Sequence, residues 1–310
     1  MDSAAFQFRL KQFLIASAAT CAMACRKSAS PSAPPQLLYA CLPDQHKVTI
    51  SELSTSPAAA PLATIKETPA DLPVSVGIDA EKEVFVANQN ANIKVYAGQN
   101  YHYQMVREIE GPHTQFQHIN GMAVDQSGDL YVADAGQGPG DAKILVFTGD
   151  QSGNIMPDHS IQGPHTGLTS PTGISIDATG RAFVADHDSG KILIFDANAH
   201  GDAPPIATID SVAAPDRVFV DQDLDLYADS SSNHAITMFI PEGPNWSQAK
   251  TITAPELYDP QGIAVDASGR VAVAIPGAIA FFAADARGPS APVELFKELS
   301  PFNPAGILIR

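Results

Sequence analysis

Charge and cysteine are both scarce in this chain. Only 17% of its 310 residues are charged, and three are cysteine. Cys21 and Cys25 lie close to the N-terminus, so the body of the chain holds Cys41 alone and has no disulfide framework. Its stability must come from packing. Basic residues are scarcer still: 18 Lys and Arg stand against 34 Asp and Glu, a formal net charge of −16. A surface that acidic repels phosphate backbones and anionic headgroups, which argues against nucleic acid as a partner. The chain also lacks a Ser-His-Asp set, a nucleophile elbow, a phosphate loop and a CxxC pair, so no catalytic motif directs the reading.

No long apolar run marks a membrane-spanning helix. The apolar stretch near the N-terminus, Phe13 to Ala24, has 12 residues and follows Arg9 and Lys11. That is too short to cross a bilayer and has the plan of a signal peptide, which the reading assigns to residues 1–24. Ala22-Met23-Ala24-Cys25 resembles a bacterial lipobox, although Ala22 stands where Leu is common. Cys25 is the expected lipidation site, with ordinary cleavage and secretion as the alternative. The expected location is therefore outside the cytoplasm, as a membrane-anchored lipoprotein of the periplasm or cell surface or as a secreted protein. The membrane is expected as a partner only through that lipid anchor. Residues 25–36, rich in Ser and Pro, read as a tether.

What the chain has in quantity is turn formers, 22 Gly and 25 Pro, and an internal repeat. GIDAEKEVFVANQNANIKVY, GMAVDQSGDLYVADAGQGPGDAKILVF, GISIDATGRAFVADHDSGKILIF, RVFVDQDLDLYADSSSNHAITMF and GIAVDASGRVAVAIPGAIAFF share one plan. Each has an apolar strand, a turn at Asp-x-x-Gly or a variant, a second strand, a second turn and a third strand ending in an aromatic residue. Starting positions at Gly77, Gly121, Gly173, Arg217, Gly262 and Gly306 recur at roughly 44 residues, the length of one four-stranded propeller blade. The last repeat is cut short at PAGILIR, and QLLYACLPDQHKVTISEL with PLATI near the start supplies its missing strands. The expected fold class is all-β: a six-bladed β-propeller over residues 37–310, with N-/C-terminal strand closure that removes the open edges of the array.

Pro171 to Asp186 follows P-x-G-I-x-V-D-x-x-G-x-x-x-V-A-D, with Ile176 at the first Val, and resembles the NHL repeat, and the likeness covers nearly all of the chain after the leader. The family spans hydrolases, lyases, sensors and interaction platforms, so the resemblance implies a fold and no single chemistry. The amidating lyases of this fold place zinc-binding His just before the first strand of several blades. Those slots are Asn120, Thr172, Asp216, Gln261 and Ala305 here, and none is His. Gluconolactonase-type propellers hold a divalent cation at the axis through Glu, Asn and Asp oxygens. Asn120 and Asp216 offer two such oxygens, but no Glu stands at a comparable slot. No cofactor is expected, with a divalent cation such as calcium at the axis as the open alternative.

Asp79, Asp125, Asp177, Asp221 and Asp266 recur once per repeat and read as turn caps. Departures from the repeat are better candidates for a site. Arg217 stands where the other repeats begin with Gly, beside Asp216. It reads either as a structural ion pair with Asp216 or a neighbouring blade, or as an anchor for a carboxylate or phosphate. The candidate funnel residues are Arg217, Asp216, Asn120, His118, His187, Asp186, Asp134 and Gln261. His46, His118, His187 and His234 fall in loops of one face without metal-ligand spacing, and the twin GPHT segments at 111–114 and 163–166 read as turns. Two functions remain open. One is a binding module for a protein, peptide, glycan or small-molecule partner; the other is a lactonase-type hydrolase or lyase acting on a small ester or sugar derivative in the central funnel.

Overall fold

The computed structural model describes residues 35–53, 60–138, 140–297 and 303–310. The leader and Cys25 lie outside the described residues, and no described helix is long and apolar enough to cross a membrane. The described chain forms six sheets, each built on four antiparallel strands and one of them carrying a fifth, parallel strand at its outer edge, arranged as a six-bladed β-propeller. Blade I is Pro73–Ile78, Val84–Asn88, Asn92–Gln99 and His102–Glu110. Blade II is Ile119–Val124, Leu130–Asp134, Lys143–Phe147 and His159–Ile161; blade III is Pro171–Ile176, Ala182–Asp186, Lys191–Phe195 and Ala207–Ile209. Blade IV is Val218–Val220, Leu226–Ser230, Ala235–Glu242 and Asn245–Thr253, and blade V is Gly262–Val265, Val271–Ile275, Ala278–Phe282 and Glu294–Phe296. The inner strands, named first, touch their neighbours around the whole ring.

Blade VI is the split one. Ile307–Ile309 is its inner strand and pairs antiparallel with Leu37–Leu42, which continues into Lys47–Glu52 and Ala63–Lys66. Leu38 faces Ile309 and Ala40 faces Ile307, and both isoleucines are buried. The two chain ends thus supply one blade, as the repeat required.

Each strand alternates its side chains between two seams, so both of its faces are covered and five-residue second strands such as Ala182–Asp186 are buried throughout. The core is accordingly divided into clusters between adjacent blades; one joins Phe85, Ile93, Ile119 and Phe147 of blades I and II. The seams are fastened in two ways. The loop before the outer strand of blades II, III and V lays a glycine, Gly153, Gly201 or Gly288, parallel to the outer strand of the preceding blade. Blades I and IV have a tight outer hairpin instead, and Trp246 of blade IV stacks edge-on against Phe183 of blade III at 5.1 Å. At the seam between blades VI and I, the buried Lys94 ammonium meets Asp71 and, at 3.2 Å, Glu67.

The recurring hairpin Asp residues cap their turns. Asp177 Oδ1 accepts the N–H groups of Thr179 and Arg181, and Asp221 Oδ1 those of Asp223 and Asp225. The GPHT segments are turns as well, with Thr114 and Thr166 each donating a hydroxyl to the carbonyl of Gly111 and Gly163 at 2.7 Å.

Deleting residues 307–310 exposes the edge of Leu37–Leu42 and removes two buried isoleucines worth about 4–6 kcal/mol together. The expected outcome is a melting temperature lower by roughly 10 °C or aggregation on heating, read by circular dichroism. An unchanged melt contradicts the closure.

Candidate functional site

One rung of cross-strand pairs surrounds the axis at the end where blades connect. Going round the ring it reads Ser75–Ala87, Gly121–Ala133, Gly173–Ala185, Arg217–Asp229, Gly262–Ala274 and Gly306–Cys41. The pairing corrects the starting point of the first repeat: Ser75, and not Gly77, is in register with Gly121 and Gly173. Smallness at the inner position has a steric cause. A Cβ on Gly121 would lie 2.6 Å from the Thr172 carbonyl oxygen, on Gly173 2.7 Å from that of Asp216, and on Gly306 2.6 Å from that of Val74. Adjacent inner strands approach until only small residues fit.

Blade IV breaks the rung on both of its strands. The Arg217 side chain reaches across the end of the channel, where Nε donates to the Gln261 carbonyl of blade V at 2.9 Å. Nη1 donates to the Thr172 carbonyl of blade III at 3.2 Å and to the Asp216 carbonyl at 3.2 Å. Among the described residues no carboxylate lies within ion-pair distance of it. The expected pair with Asp216 does not form. Asp216 Oδ1 bonds instead to His187 Nδ1 at 2.9 Å. Successive residues of an extended chain point to opposite sides, so Asp216 turns toward blade III while Arg217 turns to the axis. Carbonyl oxygens satisfy donors but leave the guanidinium charge in place.

Asp229 is the partner that sequence reasoning passed over. It fills a slot that holds Ala in four blades and Cys41 in another, and it is fully buried. Its Oδ1 accepts the N–H groups of both Asp216 and Arg217 at 2.8 Å, while Oδ2 has no hydrogen-bond partner. Burial, with the nearby Asp216 charge, pushes its carboxyl up to about 7 against the pull of the two N–H bonds and Arg217. The signal was present in the sequence as an acid aligned with alanines.

The remaining candidates divide by position. Arg217 and Asn120 line the axial cavity, whose volume is about 1300 Å³ and which extends to the hairpin residues Asp79, Asp125, Asp177, Asp221 and Asp266. Asp216, His187 and Gln261 surround its Arg217 end through the bonds given above. His118 is exposed at the junction of blades I and II, where its Nε2 lies 3.2 Å from Gln89. Asp134 and Asp186 are buried beneath the connections: Asp134 accepts the N–H groups of Gln117, His118 and Gly136, and Asp186 those of Thr169, Ser170 and Ser189. Those two hold loops and do not reach the cavity.

The donor set does not fit a hard cation at the axis. Asn120 Nδ2 donates to the Pro171 carbonyl at 3.1 Å, Asp216 is engaged by His187, and the Arg217 charge beside them repels a divalent ion. No three His, Cys, Asp or Glu side chains converge among the described residues.

No protein-family model matches the chain, and no curated protein matches its sequence. Solved structures share the fold. A protein of unknown function from Bacteroides caccae aligns with a TM-score of 0.63 at 12% identity over 89% of this chain and 99% of its own. A functionally unknown protein from Desulfotomaculum acetoxidans aligns with a TM-score of 0.61 at 11% identity over 88% and 98%. The Pseudomonas aeruginosa periplasmic gluconolactonase aligns with a TM-score of 0.63 at 11% identity over 89% and 99%. Identities this low establish the propeller architecture alone.

The raised carboxyl of Asp229 has a signed consequence. An acid whose folded pKa lies above its unfolded value of about 3.9 leaves stability intact below that value and lowers it as pH rises toward 7, at up to about 1.4 kcal/mol per pH unit. Asp229→Asn removes the titration. Chemical denaturation is expected to show the variant gaining about 2–3 kcal/mol on the wild type between pH 5 and pH 7; a pH-independent difference contradicts the assignment.

Proposed function

We propose that this protein is an exported, non-catalytic propeller of the NHL-repeat kind whose axial cavity binds an anionic small molecule or an acidic group of a partner. The observation that carries this reading is the Arg217 guanidinium, placed at the axis with carbonyl oxygens for partners and, among the described residues, no carboxylate within ion-pair distance. A guanidinium held by carbonyls on three blades is preorganised, so little entropy is lost when a carboxylate or phosphate docks on it. The cavity sets Arg217 at one end and the hairpin carboxylates Asp79, Asp125, Asp177, Asp221 and Asp266 toward the other, so an anion is directed to the Arg217 end. The repeat of Pro171 to Asp186 supports the family reading, and the leader of residues 1–24 followed by Cys25 supports export and lipid anchoring.

The likeness to a periplasmic gluconolactonase makes lactone hydrolysis the second reading. Acid release from a gluconolactone by the purified protein tests it.

Two measurements test the first reading. In calorimetric titrations with citrate and sulfate, Arg217→Ala is expected to weaken binding at least tenfold, and Arg217→Lys to restore part of it. A wild type that binds neither anion contradicts the anion site. For the anchor, Cys25→Ser is expected to move the protein from the membrane to the soluble fraction or to block maturation. An unmodified native N-terminus beyond Cys25 in mass spectrometry contradicts lipidation.

A further inference from the structure

We propose that the Arg217 site takes up its anion together with a proton, and that the proton lodges on Asp229. The inference rests on the anion-site reading above and adds to it the chemistry that controls occupancy.

Arg217 and Asp229 are the two departures from an otherwise small-residue rung, and they are backbone partners on it: Asp229 N–H donates to the Arg217 carbonyl at 3.2 Å. The return bond is made by the side chain, since Asp229 Oδ1 accepts the Arg217 N–H at 2.8 Å. Any change at Asp229 is therefore felt at the residue that holds the anion. The carboxyl is sealed from water and half-satisfied, with Oδ2 buried and unpartnered. Ionised, such an oxygen is poorly solvated; protonated, it carries the charge-free form that its surroundings favour.

The charged groups facing Asp229 are few. On the strand and connection beside it stand Arg217, which favours ionisation, and Asp216, which opposes it. Tyr227, on the same side of the strand, and Ile236, its cross-strand partner, belong to an apolar cluster with Leu257, Ile263 and Ile275 toward blade V. His187 bonds to Asp216 at 2.9 Å. Burial and the Asp216 charge raise the carboxyl to about 7, against the N–H bonds of Arg217 and Asp216 and the Arg217 charge.

An anion bound to the guanidinium cancels that attraction and adds a negative charge nearby. Both effects favour the protonated carboxyl, so binding drives proton uptake wherever free Asp229 is ionised. By reciprocity the anion binds more tightly when the proton is already in place. Below the carboxyl's midpoint the proton is present beforehand and no uptake occurs. Above it, affinity falls as pH rises.

Sulfate is the suitable probe because its charge is constant between pH 5.5 and pH 8. Titration calorimetry in buffers of different ionisation enthalpy reads the protons taken up per sulfate. The wild type is expected to take up about three quarters of a proton per sulfate at pH 7.5 and almost none at pH 5.5, with affinity falling about tenfold from pH 5.5 to pH 8. Asp229→Asn, which keeps an oxygen for the two N–H groups, is expected to bind with no uptake and a flat pH profile. If it fails to fold, Asp229→Ala replaces it, since four other blades hold Ala in this slot. His187→Asn is expected to keep the uptake. Sulfate binding without uptake in the wild type, uptake that survives in the Asp229 variant, or uptake lost in His187→Asn each overturns the coupling while leaving the anion site standing. No sulfate binding at any pH overturns both.

Discussion

The structure depends on how closely six inner strands approach one another around a single axis. At the rung of Gly121, Gly173, Gly262 and Gly306 the strands come so near that a Cβ would collide with the backbone next door. Close approach brings the second and third strands of adjacent blades into contact, and the seam clusters of Phe85, Phe147, Phe183 and Phe281 are the result. It also demands a complete ring, because a gap at one blade would leave two seams uncovered. The last strand, Ile307–Ile309, completes it by pairing with the first described strand. A chain with one cysteine in its described body obtains through this topology the cross-linking that disulfides provide elsewhere.

Against that constraint, Arg217 with Asp229 is a costly choice. A long side chain occupies a position where neighbours tolerate almost none, and an acid occupies a slot where neighbours hold alanine. The fold accommodates the arginine by starting the inner strand of blade IV at Val218 and sending the guanidinium to carbonyls of blades III and V. It accommodates the acid by giving one oxygen two N–H donors and leaving the other bare. A scaffold that breaks its own repeat twice at paired positions concentrates charge where uniform packing would serve stability better. This asymmetry is the ground on which the anion site is proposed.

Much of the architecture was legible because it is repeated. Six copies of one pattern reveal the strand order, the hairpin Asp caps and the split blade, since each copy checks the others. The first repeat misled because Gly77 sits in a Gly-Ile-Asp string like the start of other repeats, whereas the strand pairing runs through Ser75. The site was legible only in part. Arg217 stood out as a missing glycine, but its tie to Asp216 was inferred from adjacency, and adjacency in an extended strand sends side chains apart. Asp229 was passed over because it stands one position before the slot that Asp134 and Asp186 occupy in their repeats. A shift of one position moves it from beneath a connection to the interior of a seam, a distinction that depends on which face of the strand it occupies.

The anion site proposed at the axis of this propeller is centred on one guanidinium. Anomalous diffraction from crystals soaked in selenate at pH 6 tests it directly. A selenium peak is expected in the axial cavity, with the selenate oxygens within hydrogen-bond distance of Arg217. A cavity without such a peak, or one whose anomalous signal comes from a metal ion beside Asn120 and Asp216, contradicts it.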